Sequence, residues 1–418
     1  MSARFSITRL GAQGDGVAHT ETGPVFIPYT LPGEVVTAAR EKDRATLIAL
    51  LEASPQRIEP ACRHFGECGG CAIQHLQADA YLAWKRDKVV AALKSKAIDT
   101  VGVADITPCE PGSRRRVTLS ARKTETGILL GYNQALSHTL VNIEECPVAL
   151  PAIVEALPRL RELARRICAT KQTFHMTVTA SETGLDVAAA GSGTLSAVQR
   201  QGATEYVIRN VTPVPIARLT VDGEIVVEPQ KPLITFGNVQ VFPPPGGFLQ
   251  AVAAAEQAMA DLVLTHLRKA KRVADLFAGS GAFALRLAAQ SEVHAVEGDA
   301  AALAALDRGF RSASGLKRVT VEKRDLFNRP LTFKELNAYG GVVFDPPRAG
   351  AEDQSKQLAR SDVPLVAAVS CNPLTLARDL AILQGGGYRL VSVTPLDQFL
   401  WSPHVEAVAL LEKPKRRR

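Results

Sequence analysis

Along the first fifty residues, apolar and polar positions alternate over short stretches or gather as β-branched runs. Phe5–Leu10, Gly16–His19, Val25–Pro28, Glu34–Glu41 and Thr46–Leu51 read as five strands, punctuated by Gly11, Gly14, Gly23 and the Leu31-Pro32-Gly33 turn. Residues 76–97 change to a helical pattern with Lys and Arg on the polar side. From Arg115 to about residue 235 strand and helix patterns mix, with a charged helix near 151–168. Beyond Pro243-Pro244-Pro245-Gly246-Gly247 the chain alternates regularly. An Ala-rich helix over 248–268 is followed by strand 272–277, helix 281–290, strand 292–297, helix 300–312 and strand 318–322. Strands at 341–344 and 365–370, a helix at 374–384 and strands near 388–395 and 405–412 complete the pattern. No helix separates the last two strands, which predicts a hairpin.

These patterns divide the 418 residues into three units. Residues 1–53 fit a small OB-like barrel, because five short strands in so little chain close most simply that way. Residues 54–240 read as an α+β domain that begins with a cysteine-rich segment. Residues 241–418 read as a Rossmann-like α/β domain, since strand–helix alternation with short connections builds a mostly parallel sheet covered on both faces. No internal repeat is visible.

Composition is that of a globular protein, 46% hydrophobic and 22% charged. No apolar run of about 18 residues is free of charge, so no membrane span is expected. The N-terminus, MSARFSITRL, lacks a signal-peptide stretch. A cytoplasmic, monomeric chain is the expectation. The net charge of +7 points to a polyanionic partner. Its distribution weakens that inference: residues 1–53 carry 5 Lys/Arg against 6 Asp/Glu, and the tail from Lys413 to Arg418 holds 5 of the positive charges. Arg114-Arg115-Arg116 is a denser cluster, and together with Arg348 it is read as a set of phosphate contacts.

The first turn of the C-terminal unit is Asp275-Leu276-Phe277-Ala278-Gly279-Ser280-Gly281-Ala282, a strand running into a Gly-x-Gly turn. Glycines there let the backbone approach a ligand closely. Glu297 ends the next strand, where an acid accepts both hydroxyls of a ribose. Asp325 follows the third strand and is placed to meet an adenine amino group; Asp345 ends the fourth. No Gly-Lys-Ser/Thr follows, which excludes a P-loop, and the turn is one glycine short of the dinucleotide pattern. S-adenosylmethionine, with a ribose and no phosphate, fits better than NAD.

Cys371-Asn372-Pro373 comes directly after the strand Pro364–Ser370. Open α/β sheets bind ligands at the carboxyl ends of their strands, so the thiol belongs to the same rim as Glu297 and Asp345. A thiolate there suits methylation of uracil at C5. That carbon is a poor nucleophile until a thiolate adds at C6 and makes an enolate. A base must then remove the C5 proton. Glu406, in His404-Val405-Glu406, is the candidate, and His404 is its rival.

Seven cysteines in a chain without a secretion signal argue against a disulfide framework. Cys62, Cys68 and Cys71 sit at a spacing suited to an iron–sulfur cluster or zinc. Cys109, Cys146, Cys168, His64 and His75 all remain open as a fourth ligand.

Taken together, Asp275–Ala282, the block Asp345-Pro346-Pro347-Arg348-Ala349-Gly350, Ser370-Cys371-Asn372-Pro373 with Thr375, Ala377, Arg378, Asp379 and Leu380, and His404-x-Glu406 resemble the uracil-C5 RNA methyltransferase family. Val25–Gly33 resembles that family's N-terminal TRAM barrel, so the likeness spans nearly the whole chain. It implies Cys371 as nucleophile and Glu406 as proton acceptor. It implies cofactor contacts from Gln250, Phe277, Ala282, Glu297, Asp325 and Asp345. It also implies Cys146 as fourth ligand, beside Cys62, Cys68 and Cys71, of a [4Fe-4S] cluster with a structural or RNA-positioning role. The implied substrate is RNA, ribosomal first and transfer RNA as the alternative. Two departures stand out: Ala282 and Val252 replace residues that the family usually has as Asn. Weaker or rearranged cofactor binding is the expected consequence. A cytosine-C5 RNA methyltransferase and a non-catalytic RNA-binding protein are the competing readings. The first lacks its Thr-Cys and Pro-Cys segments at the sheet rim, and the second leaves Cys371 and Glu406 without purpose.

Overall fold

The computed structural model describes residues 2–210 and 212–414; the tail from Lys415 onward lies outside the described residues. Six strands, β1 (Ser2–Ser6), β2 (Arg9–Leu10), β3 (Gly16–Thr20), β4 (Gly23–Ile27), β5 (Val35–Glu41) and β6 (Arg44–Glu52), form the first sheet in the order β1-β5-β6-β4-β3-β2. The single strand expected over Phe5–Leu10 is thus two. Ile7 N–H leaves the ladder to donate to Glu34, while Thr8 N–H donates to Val17. Phe5, Ile7, Val25, Ile27 and Val36 fill the space beneath. The helix α1 (Ala78–Lys94) follows the cysteine-rich segment.

The second sheet contains β7 (Arg116–Lys123), β8 (Ile128–Asn133), β9 (Leu140–Asn142), β10 (Phe174–Ser181), β11 (Gly184–Ala190), β12 (Ile216–Val221) and β13 (Glu224–Val227), in the order β13-β12-β11-β10-β7-β8-β9. Three helices, α2 (Pro151–Glu155), α3 (Leu157–Ile167) and α4 (Ala197–Arg209), accompany it. The one helix expected near 151–168 breaks at Ala156, because Pro158 enters the first turn of α3 and cannot continue the preceding ladder. Leu157, Leu160, Leu163, Ala164 and Ile167 recur at helical spacing and are all buried against the sheet. A short hairpin, β14 (Ile234–Phe236) and β15 (Val239–Val241), leads into the last unit.

There the helices are α5 (Ala253–Leu267), α6 (Ala284–Leu287), α7 (Ala300–Ser312), α8 (Phe333–Leu336), α9 (Glu352–Arg360) and α10 (Pro373–Gly385). The strands are β16 (Arg272–Leu276), β17 (Glu292–Glu297), β18 (Val319–Lys323), β19 (Gly341–Phe344), β20 (Leu365–Ser370), β21 (Arg389–Leu396) and β22 (Glu406–Glu412), in the order β18-β17-β16-β19-β20-β22-β21. The first five are parallel; β22 runs antiparallel to both neighbours, which is the expected hairpin. Every residue of β19 and nearly every residue of β20 is buried, as sheets covered on both faces require. The helix expected over 281–290 shrinks to α6, since Gly279 and Gly281 hold positive φ and keep the turn before it open. Apolar side chains pack on both sheet faces, and their removal from water is the main force holding the layers together. Among the described residues no helix is long and apolar enough to cross a membrane.

Candidate active site

The carboxyl ends of the parallel strands put several of the expected residues on one rim. Phe277, just past β16, adopts φ 62°, a left-handed conformation that a side chain with a Cβ rarely accepts. Its ring lies 5.4 Å from that of Phe327. At Gly281 a Cβ would sit 2.9 Å from both Leu285 and Leu306, so only glycine fits. Glu297, at the end of β17, accepts Gly279 N–H at 2.9 Å through Oε2 and Asp299 N–H at 2.7 Å through Oε1. A carboxylate has about four acceptor positions, so capacity for two hydroxyls remains. Asp325 is exposed and caps the turn after β18, accepting from Phe327 N–H at 3.0 Å. The side chain of Ala282 offers nothing polar, and its carbonyl oxygen already accepts Arg286 Nη1 at 2.6 Å. Val252 is buried at the start of α5.

Asp345, Gln250 and Glu406 meet through a fourth residue that sequence reasoning missed. Gln250 Nε2 donates to Asp345 Oδ2 at 2.8 Å. Gln398 Nε2 donates to Gln250 Oε1 at 2.8 Å and to Glu406 Oε2 at 2.5 Å. Burial pushes the Asp345 carboxyl up to about 7. Burial and then Asp345 push Glu406 well above the ordinary carboxylate range. The Cys371 thiol is pushed up to about 11, by burial first and then by Glu406 and Asp345, with Arg348 pulling the other way. Burial lowers His404 to about 4, helped by Arg348, Lys88, Lys85 and Arg114.

The loop 397–405 that carries Gln398 and leads to Glu406 is tied to the cysteine-rich segment and to α1. Tyr81 Oη donates to Asp397 at 2.6 Å, and Lys85, fully buried, bonds Asp397 and donates to Phe399 O at 2.8 Å. The Trp401 carbonyl accepts Ala72 N–H at 2.8 Å, directly after Cys71.

Cys62, Cys68, Cys71 and Cys146 line one cavity of about 350 Å³, together with Tyr132, Arg114, Phe399 and His404. Burial first, then the other three thiols, push Cys71 up to about 12, against the pull of a hydrogen bond with Gln74. The remaining ligand candidates go elsewhere. Cys168 is buried in the second sheet's core and faces Thr170 O at 3.2 Å, and Cys109 lies near Lys85 and Asp397. His75 is fully buried with neither nitrogen bonded among the described residues. His64 lines the same cavity, but its Nε2 accepts Glu144 N–H at 3.0 Å. Among the described residues no three His, Cys, Asp or Glu side chains converge on a single point as the ligands of one metal ion would.

Not all of the arginine cluster faces outward. Arg115 is buried, donating to Gln250 O at 3.0 Å and pairing with Glu256 at 2.7 Å. Arg116 turns inward to Gly246 O at 3.2 Å. Arg115 is therefore structural, a correction to the phosphate role expected of it, while Arg116 is partly buried and lines the cysteine cavity beside Arg114. Arg348 is exposed, 3.1 Å from His404 Nδ1, and Arg114 lies over the Phe399 ring.

Residues 240–414 match the family described as tRNA (Uracil-5-)-methyltransferase. The chain is 66% identical, over 100% of both proteins, to an RNA methyltransferase of Mesorhizobium japonicum. It is 34% identical to the 23S rRNA (uracil(1939)-C(5))-methyltransferase RlmD of Halomonas elongata, over 98% of this chain and 89% of that protein. Among solved structures, the Pyrococcus abyssi tRNA (uracil-54, C5)-methyltransferase in complex with S-adenosyl-L-homocysteine is similar with a TM-score of 0.75 at 25% identity, over 98% of this chain and 99% of that one.

Proposed function

The chain belongs to the RNA uracil-C5 methyltransferase family, and on that premise we propose that it methylates C5 of a uridine in 23S rRNA, with Cys371 as covalent nucleophile and Glu406 as base. The observation that carries this reading is the pairing of Ser370 with Ala407, which puts residues 371 and 406 side by side at the rim holding Asp345. When bound, S-adenosylmethionine supplies an electrophilic methyl group on a cationic sulfonium. Glu297, Asp325, Asp345, Gln250, Phe277 and the backbone at Ala282 would hold it.

Cys371 adds to C6 of the uracil and drives negative charge onto C5, which takes the methyl group. Glu406 then accepts the C5 proton, and the C6–S bond breaks to restore the thiolate. Its enclosure supports this role, because a carboxylate held above its usual range is a stronger base. His404, lowered among cations, is the poorer acceptor. The target base must leave its stack to reach Cys371. Arg348, with Arg114 and Arg116 of the cysteine-lined cavity, meets the phosphates.

The cavity between Cys62, Cys68, Cys71 and Cys146 suits a [4Fe-4S] cluster. A cluster spreads four thiolates around a cube, so its ligands ring a space instead of converging on a point. There it would act as a staple between the cysteine-rich segment, the second sheet and the loop 397–405. The first sheet serves as a TRAM-like RNA-binding module within a division of the chain at about residues 53 and 240. The ribosomal assignment draws on the relative from Halomonas elongata; the archaeal structure favours tRNA as the second reading.

Incubation with 23S rRNA or tRNA and methyl-labelled cofactor, followed by mapping of 5-methyluridine, tests the substrate. Label confined to tRNA overturns the ribosomal assignment, and label in neither RNA overturns the enzymatic reading.

A further inference from the structure

Glu406 and Gln398 are each 2% exposed. Glu406 Oε2 accepts from Gln398, while Glu406 Oε1 is buried without a partner among the described residues. The single amide nitrogen of Gln398 has two protons and both are used, one on Glu406 and one on Gln250. Gln250 uses its own nitrogen on Asp345. The polarity of this chain is set from its ends. The base must be ionised to take a proton, and an ionised carboxylate can only accept, so in that state each amide turns its nitrogen toward the carboxylate it meets. A flipped Gln398 would press its carbonyl oxygen against two acceptors, a buried mismatch that costs more than the hydrogen bond itself is worth. The loop around Gln398 cannot drift either, since Asp397 and Phe399 on both sides of it are held by Tyr81 and Lys85.

We propose that Gln398 is a positioning residue for removal of the C5 proton: it occupies Oε2 of Glu406, leaving Oε1 as the atom that takes the proton, and through Gln250 it keeps that atom in register with the cofactor pocket. This rests on the reading of Cys371 and Glu406 as nucleophile and base. In the step concerned, the methylated adduct carries hydrogen and methyl on C5 and sulfur on C6. The C5–H bond breaks and the proton goes to Glu406 Oε1. Its electron pair becomes the C5–C6 double bond, and the C6–S pair leaves with Cys371 as thiolate. Hydrogen bonding from Gln398 also opposes the upward push of burial and Asp345 on the Glu406 carboxyl.

Gln398→Met keeps the volume and removes both donors. Its expected behaviour is a fall in turnover of about tenfold or more. A denaturant-resistant protein–RNA adduct, methylated at C5, accumulates, and the acid limb of the rate–pH profile moves to higher pH. Gln398→Glu, which sets a second carboxylate against Glu406, moves that limb further in the same direction. Should the methionine variant not fold, this second variant decides alone. Glu406→Gln is run in parallel. If it traps adduct while neither Gln398 variant shifts the pH profile or traps adduct, the inference falls and the parent reading stands. If Glu406→Gln traps nothing, the reading of Glu406 as base fails, and the inference with it.

Discussion

Ser370 and Ala407 face each other across the antiparallel pair of β20 and β22, and that pairing sets the Cys371 thiol beside the Glu406 carboxyl. The two groups work against each other in the absence of ligand. Burial and the nearby carboxyls hold the thiol near 11, so little thiolate exists at neutral pH. Iodoacetamide labelling of Cys371 in the cofactor-free protein, followed by peptide mass spectrometry, should therefore rise through the whole range from about pH 7 to about pH 10. A free cysteine would level off nearer ~8.5. Arg348→Ala, which removes a cation pulling the thiol down, should slow labelling at every pH in that range. A plateau below about pH 9 in the unmodified protein would contradict the electrostatic picture.

Asp345 makes the fold pay for the site. Its carboxyl sits at about 7 in the folded protein, above the ordinary value near ~4 of an unfolded chain. Between those values the folded state holds a proton that the unfolded state has released. Stability from this group is therefore full below about pH 4 and falls as pH rises through about 7. Asp345→Asn removes the titration while its amide oxygen can still accept from Gln250. The cofactor-free variant should melt about 2–4 °C higher at pH 8 and lose part of the decline between pH 4 and pH 7, which calorimetry across that range measures. Binding of S-adenosylmethionine should weaken in the same variant. An unchanged melting temperature at pH 8 would mean that the carboxyl is better solvated than its surroundings indicate.

The legible parts of the molecule were those written in local periodicity. Strands β16, β17, β19 and β20 were readable because each is a short apolar run with a turn signal after it. The hairpin of β21 and β22 followed from a missing helix. Helix α9 was not anticipated, because its sequence, Glu352-Asp353-Gln354-Ser355-Lys356, is polar. Pro158 was a visible signal for the break between α2 and α3 that the helical period masked. Arg115 was misread since three consecutive arginines look like a surface, and only the tertiary position of Glu256 pulls the middle one inside. Gln398 carried no signal at all. Its meaning arises when the hairpin folds back and brings it to Glu406, eight residues on, and to Gln250, which is 148 residues away.

The cavity walled by Cys62, Cys68, Cys71 and Cys146 makes a prediction about six side chains, not four. On the proposal that this cavity holds a [4Fe-4S] cluster, serine at any of those positions should abolish the iron and sulfide content of protein prepared without oxygen. Serine at Cys109 or Cys168 should leave both intact, because neither lines the cavity. Iron and acid-labile sulfide assays, with visible absorption as a second readout, check this directly. Retention of iron by the Cys146→Ser variant would remove that residue from the ligand set.

Arg115, just before β7 of the second sheet, is joined through Glu256 of α5 to Arg286 of α6, beside the sheet of β16–β22. Glu256 is 1% exposed, with Oε2 at 2.7 Å from Arg115 and Oε1 at 2.9 Å from Arg286. Three charges have been taken out of water here, so their mutual attraction largely offsets the cost of burying them, and the intact triad adds little net stability. Removing one member is different, because it strands the others. Arg115→Met should destabilise the protein by about 3–5 kcal/mol in urea or guanidinium unfolding, since Glu256 keeps its burial and loses half its compensation. It should also loosen Gln250, whose carbonyl accepts from Arg115 Nε at 3.0 Å, and so weaken cofactor binding. Replacing Arg115, Glu256 and Arg286 together with Met, Leu and Met should recover most of the lost stability, as apolar side chains of similar size fill the space without a charge to desolvate. Cofactor binding should not recover in that triple variant, because the donor to Gln250 is still missing. A triple variant as unstable as the single one would show that the triad itself, and not the stranded charge, holds the two sheets together.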